Sequence, residues 1–363
     1  MENTSPKKFR LWTRLRGWVR KHRTASYLIG GFVLALGVSL TTLSLFYKPP
    51  VEVPKATVVT QPKPAPTRYY SPLSGVEVAN QAATTQPVTA IMIENSPDAR
   101  PQSGIKQAGV VFEAIAEGGI TRFLTLHQED KPQVVGPVRS VRMYYVDWLA
   151  AFNASVAHVG GSLYALQELR NGSYRDIDQF FNASSYWRAT DRYAPHNVYT
   201  SFEKLDALNA AKGYTSSQFT GFTRTDGKTS AALDATSITI NFSSALYNTS
   251  YTYDPAHNYY LRSLGGEAHF DREGGQITPS VVIAMHVNET TVLEDGYRQN
   301  ITAIGSGDAT IFQNGTATNV TWAKASRTAQ ITFTDANGAD VPLVRGQTWI
   351  AAVPNGVGSV AWQ

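Results

Sequence analysis

The 363-residue sequence contains no cysteine. That absence excludes structural disulfides, a lipid-modified cysteine and every thiol-based mechanism, so any exported domain must rely on its packed core. Acidic charge is nearly missing from the beginning. Before residue 24, eight basic residues (Lys7, Lys8, Arg10, Arg14, Arg16, Arg20, Lys21, Arg23) stand against one acid, Glu2. Of 32 basic and 28 acidic residues in all, the rest of the chain therefore holds 24 and 27. A slightly acidic body has no general attraction for a phosphate backbone, and nucleic acid is not an expected partner. HxxxH, HExxH and Cys-based spacings are also missing, so neither a metal site nor a cofactor is expected.

What is present begins with "SYLIGGFVLALGVSLTTLSLFY", residues 26–47, which contains 22 residues and no charge. At roughly 1.5 Å rise per residue this run can cross a hydrocarbon core of roughly 30 Å. The basic cluster before it and the single Lys48 after it place the N-terminus in the cytoplasm. The alternative is a cleaved signal peptide, whose apolar region usually has about 7 to 15 residues and ends in a small-residue site. Here the run is longer and ends in "LSLFYKPP". The expectation is a retained, single-pass anchor in a cell membrane: a basic cytoplasmic arm over 1–25, a transmembrane helix over 26–47, and a Pro-rich linker over 48–68 with six prolines. Such a linker is a semi-rigid extended spacer, and the domains after it face outward.

The remainder has the apolar content of an ordinary core, in a chain 42% hydrophobic and 17% charged. "PVTAIMIEN" reads as a buried strand, and "GVVFEAIAEG" with "ITRFLTLHQ" as two strands joined at Gly118-Gly119. "MYYVDWLAAF" and "SLYALQELR" have helical spacing, the second opening at Ser162 as an N-cap, and "ASVAHVGG" is a short strand between them. After residue 216 short β-prone runs alternate with Gly, Asn and Asp turns, a spacing suited to an antiparallel sheet or barrel-like module. The fold class is α+β: a mixed α/β N-terminal domain over 69–225 and a β-rich C-terminal domain over 226–363, behind a single N-terminal transmembrane helix. The boundary near 216–236 is alternatively an insertion within one larger domain.

Several residue groups have chemical potential. In "GPVRSVR", Pro137 ends a strand, Ser140 or Arg139 lies near a helix start, and Arg139 and Arg142 at i, i+3 share one face. Together they form a two-armed clamp for a carboxylate or phosphate, or else an internal ion pair with Glu113, Glu117, Asp176 or Asp178. In "FEAIAEGGITR", Glu113 and Glu117 point to one strand face, with Cα atoms on the order of 13 Å apart. That exceeds the roughly 5 to 9.5 Å carboxyl spacing of glycosidase pairs, which favours pairing with Arg122, Arg139 or Arg142. Asp176 and Asp178 form an Asp-x-Asp, and His158 and His196 are candidate bases. Ser162 in "HVGGS" does not match a G-x-S-x-G elbow.

The ordered set "RPQSG", "FEAIAEGGITRF", "VVGPVRSVRMYYVDW", "HVGGS", "DID" and "RYAPHNVYT", with "GGEAHFD" and "GQTWIAAVP" later on, resembles the YerB-like family of bacterial envelope proteins, domain of unknown function 3048 with its C-terminal domain. The resemblance covers about residue 69 to the end. It implies a membrane-attached, outward-facing protein of two-part fold. Family members are often lipoproteins, and this chain departs in having a transmembrane helix in place of a lipidated cysteine. By motif match the family's polar cluster comprises Arg100, Glu113, Glu117, Arg122, Arg139, Arg142, His158, Asp176, Asp178, Arg192, His196 and Asn197, with Ser140 beside the arginines.

Three functional classes follow. The first is an envelope binding or scaffold protein whose Arg/Glu/His cleft takes an anionic or glycan ligand such as peptidoglycan. In it Arg100, Arg122, Arg139, Ser140, Arg142, Asp176, Arg192 and Asn197 bind. The second is a cell-wall hydrolase in which Glu113 or Glu117 is a general acid raised in pKa by burial, assisted by His158, Asp178 or His196. The third is a protein-protein adaptor using exposed aromatics of the β-rich part.

Overall fold

A computed structural model describes residues 7–51, 67–292 and 298–363. The chain divides into two compact units, Met1–Ala65 and Pro66–Gln363. In the first, helix Lys7–Lys21 stops at His22, whose φ of −125° and ψ of 55° leave the helical path, and helix Arg23–Phe46 follows. The second helix has 24 residues and a mean hydropathy of 2.0, long and apolar enough to cross a membrane. It begins earlier than the charge-free run because Arg23 and Thr24 continue its first turn. The hydroxyls of Ser39, Thr41 and Thr42 donate to the carbonyls of Ala35, Gly37 and Val38 at 2.9, 2.7 and 2.7 Å. Bonding within the helix lets these polar side chains sit in an apolar surrounding. Most of the expected Pro-rich linker lies outside the described residues.

The second unit is built on a ten-stranded mixed sheet. In chain order its strands are β1 (Thr89–Glu94), β2 (Val110–Glu117), β3 (Ile120–His127), β4 (Ser155–Ala157), β5 (Arg175–Asp176), β6 (Val281–Val287), β7 (Gly305–Gln313), β8 (Thr316–Lys324), β9 (Thr332–Thr334) and β10 (Thr348–Pro354). They are ordered β9-β8-β7-β6-β10-β2-β3-β1-β4-β5. Six of them, β6, β10, β2, β1, β4 and β5, point the same way, and β3 alone opposes them within that stretch. The β2–β3 hairpin turns at Gly118 and Gly119, both with positive φ (58° and 76°), where side-chain-bearing residues are strained.

Each face of this sheet carries a core. On one face Tyr144, Tyr145 and Trp148 of helix Met143–Leu149 pack onto Phe112 and Leu124, with Phe112 and Trp148 stacked at 5.1 Å. On the other lies a five-stranded antiparallel sheet of Ser237–Asn241, Thr249–Asp254, Tyr259–Leu264, Glu267–Ala268 and Ser359–Trp362, contributing Ile238, Tyr251 and Tyr260 against Phe123 and Trp349. The β-prone runs after residue 216 therefore do not form one antiparallel module. "SITINFS", "YTYDP" and "YYLRS" enter the small sheet, whereas "VVIAMHV", "ATIFQNG", "TNVTWAK" and "QTWIAAVP" extend the large one. The last run, β10, lies parallel between β6 and β2. Every residue of β10 is buried, the signature of a parallel strand covered on both faces.

Candidate functional site

β1 and β4 pair only as far as Ile91 and Ala157, and beyond that point they part. The segment "GPVRSV" fills the opening. Glu94 N donates to the Pro137 carbonyl at 2.9 Å, Arg139 N to Met92 at 2.8 Å, and Val159 N to Arg139 at 3.0 Å. Gly136 starts the segment against the Tyr199 ring, where a Cβ would lie 2.6 Å from Cδ1. The main chain thus carries Arg139 across the carboxyl ends of parallel strands, the side of an α/β sheet where ligands are usually held.

The two arginines of this segment do not share a helical face. The helix begins at Met143, and Arg142 at its cap is extended, with φ −126° and ψ 161°. Arg139 is also outside the helix, so the side chains diverge. Arg139 Nε lies 3.2 Å from Glu94 Oε1, while Arg142 forms a close ion pair with Glu117. Ser140 contributes its carbonyl, which accepts from Arg122 Nη1 at 2.7 Å.

Among the described residues Glu117 is the acid with the most ion-pair partners. Beyond Arg142 it meets Arg122 Nη2 at 3.3 Å and Arg298 Nε at 3.7 Å. Strict alternation would put it on the same side as Glu113, but the register shifts between Ile115 and Glu117, a β-bulge. The bulge turns Glu117 to the Arg122 side of the hairpin, away from Glu113. Burial opposes its charge, yet the Arg142 hydrogen bond and the charges of Arg122, Arg142 and Arg298 outweigh that and hold its pKa below the ordinary carboxyl value. A general acid needs the opposite shift, so the expected raised pKa does not hold at Glu117.

Glu113 belongs to a wholly buried network between the two sheets. Its Oε2 accepts from Arg262 Nη2 at 2.7 Å and Trp349 Nε1 at 2.9 Å, and its Oε1 from Thr121 at 3.0 Å. Arg262 also contacts His269 Nδ1, whose Nε2 meets Gln102 Oε1 at 2.9 Å. Since guanidinium only donates, Nδ1 must accept and Nε2–H must donate to Gln102. Burial and the charges of Arg262 and Arg100 push the His269 pKa well below its ordinary value, which keeps it neutral. With no exposure, Glu113 cannot reach an external substrate, and its assignment as a general acid is corrected.

The other candidate residues form adjoining groups. His196 Nδ1 lies 3.0 Å from Glu94 Oε1 and 3.1 Å from Ser96 Oγ. His158 is buried, with Nε2 3.0 Å from Asp176 Oδ1 and Nδ1 2.8 Å from the Gly160 carbonyl. Asp178 accepts from Gly160 N and Arg170, so it shapes the His158 loop from inside. Arg100 donates to Asn95 Oδ1 and to the Leu246 carbonyl. Arg192 reaches the carbonyls of Asp98 and Pro101, and Asn197 bonds Arg188 and the Ala189 carbonyl. Among the described residues no group of three or more His, Cys, Asp or Glu side chains is placed to hold a metal ion.

A cleft of about 200 Å³ opens beside the Glu117 group, lined by Arg142, Met143, Ser162, Tyr164, Arg298, Gln299 and Asn300. Ser162 is the N-cap of helix Leu163–Leu169 as expected, but its side chain makes no cap bond. Sequence reasoning missed Glu94, Arg262, His269 and Arg298. Glu94 ends a strand directly after the apolar run over 90–93, a visible signal. Arg262 sits at every second position with Tyr260 and Leu264 on a strand, so its inward direction was also legible. Nothing near Arg298 in the sequence points to Glu117.

Comparison with known proteins places these features in a family. The N-terminal domain of a protein family of unknown function, DUF3048, matches residues 73–215, and its C-terminal domain matches residues 238–350. The chain is 32% identical over 294 residues to YerB of Bacillus subtilis (strain 168), which carries the name of a lipoprotein; the match covers 79% of this chain and 87% of that protein. It is also similar to the crystal structure of YerB from Bacillus subtilis, with a TM-score of 0.72, 30% identity, and coverage of 81% of this chain and 99% of that one. Two domain matches in order, a relative spanning most of both chains and a shared fold agree: the chain belongs to the YerB-like DUF3048 family.

Proposed function

We propose that this is a single-pass, membrane-anchored envelope protein, with its N-terminus in the cytoplasm and Pro66–Gln363 outside, that binds an anionic or glycan ligand such as peptidoglycan at the Glu117 cleft. One observation carries the reading: the guanidiniums of Arg122, Arg142 and Arg298 converge on the carboxylate of Glu117, and two of them, Arg142 and Arg298, line the cleft. The guanidinium groups at the cleft can donate to an anion, while Ser162, Gln299, Asn300 and the Tyr164 ring offer the hydroxyl, amide and aromatic groups that fit sugars or peptides. The helix Arg23–Phe46 and the lipoprotein name of the Bacillus relative support the membrane location.

An adaptor role is the second reading. In the β-rich part Phe270 and Trp362 are 49% and 41% exposed, and the most exposed aromatics of Pro66–Gln363, Phe180, Phe181 and Tyr193, lie instead in the N-terminal domain; a protein partner would relieve the cost of either set in water. Neither Glu113, which is fully buried, nor Glu117, whose pKa is lowered, supports the hydrolase reading.

Co-sedimentation with purified peptidoglycan, with soluble muropeptides assayed in parallel, tests the proposal. Retention of the protein without release is expected, and it weakens in Arg298→Ala. No retention of a folded protein would refute binding, and release would establish an enzyme.

A further inference from the structure

The arm before the transmembrane helix has an organised surface of its own. Within helix Lys7–Lys21, Trp12, Leu15, Trp18 and Val19 fall within about a third of the circumference, and Arg14, Arg16, Arg20 and Lys21 occupy the remainder. The four apolar side chains are among the large exposed hydrophobic groups of the molecule, at 66%, 58%, 47% and 42% exposure. Such a face is not left in water without a partner.

We infer that helix Lys7–Lys21 is an interfacial membrane helix that lies on the cytoplasmic leaflet and binds anionic lipid. Three observations select a lipid surface as the occupant. The helix ends two residues before the apolar helix Arg23–Phe46, so the anchor holds it at the bilayer. The break at His22 frees it from continuing along the axis of that span. Its polar face carries only positive charge, complementary to phosphatidylglycerol-type headgroups, and two tryptophans sit where their rings reach the headgroup boundary. The arm then does more than set topology: it fixes the depth of the anchor and prefers anionic regions of the leaflet.

This inference rests on the membrane-anchor reading, and one experiment separates the two. The chain has no cysteine, so single spin labels can be attached after Leu15→Cys, Val19→Cys, Arg14→Cys, Arg20→Cys or Leu36→Cys in the full protein. Each is reconstituted into phosphatidylcholine vesicles with or without phosphatidylglycerol, and collision with oxygen and with a water-soluble nickel chelate is measured. The labels at 15 and 19 are expected to be oxygen-rich and nickel-poor, those at 14 and 20 the reverse, with the contrast larger in anionic vesicles. Position 36 reports lipid in both. Equal nickel access at all four arm positions, with position 36 in lipid, overturns the inference and leaves the anchor intact. Shielding of 15 and 19 from both reagents overturns it in favour of a second copy of the helix. Nickel access at 36 removes the anchor and the inference together.

Discussion

Glu113 and Arg262 lie 149 residues apart in the chain, yet their Oε2 and Nη2 atoms meet at 2.7 Å with neither side chain exposed. The pair ties β2 of the large sheet to the strand Tyr259–Leu264 of the small one. Around it the rings of Trp349, Phe123 and Tyr251 hold the guanidinium at 4.2, 5.7 and 5.7 Å. A buried charge deprived of its partner is costly, so Arg262→Leu is expected to destabilise the Pro66–Gln363 unit by about 3–5 kcal/mol. Replacing both residues, as Glu113→Leu with Arg262→Leu, should cost clearly less than the sum of the single changes in urea unfolding. Additive losses would show that the pair is not an energetic unit.

The Glu117 carboxylate acts in a different pH range. Its folded pKa is lowered, so its stabilising contribution is present above the ordinary carboxyl value and lost as pH falls through the lower folded one. Glu117→Gln should cost about 1.5–3 kcal/mol at neutral pH, the range for hydrogen bonds to charged groups. Acid titration of stability should be flatter in the variant below about pH 4. An identical acid limb in both proteins would contradict the assigned arginine cluster.

His127 should govern the range just above that. It is fully buried against Phe202, with ring centroids 5.1 Å apart, and burial pushes its pKa down to about 3. A histidine held neutral in the fold stabilises fully above its unfolded pKa, near about 6.5, and loses that contribution as pH falls toward the folded value. Thermal melts of His127→Leu should therefore change less than wild type between pH 6.5 and about 4. Parallel curves would mean that His127 protonates freely in the folded state.

Much of the scaffold was legible in the sequence, because strand alternation, the Gly118-Gly119 turn and the apolar runs each state their own conformation. The site was less so. The two arginines of "GPVRSVR" follow helical spacing in the sequence, but the opening between β1 and β4 draws their backbone into an extended path, and each finds a separate acid. Glu117 changes side through a single register shift that no residue type announces. Arg298 reaches Glu117 from a strand 181 positions later, a meeting decided by how β10 wedges the second half of the chain beside β2. Local rules reach local structure, and these contacts depend on sheet order.

The cleft beside Glu117 is tested most directly by equilibrium binding of a purified soluble muropeptide to the full protein and to Arg298→Ala, each at low and high salt. The account predicts measurable binding to the wild-type protein that weakens in the variant and with added salt, because the substitution removes a guanidinium that lines the cleft and salt screens its attraction for an anion. Binding of equal strength in both proteins, insensitive to salt, would contradict the arginine cleft as the ligand site.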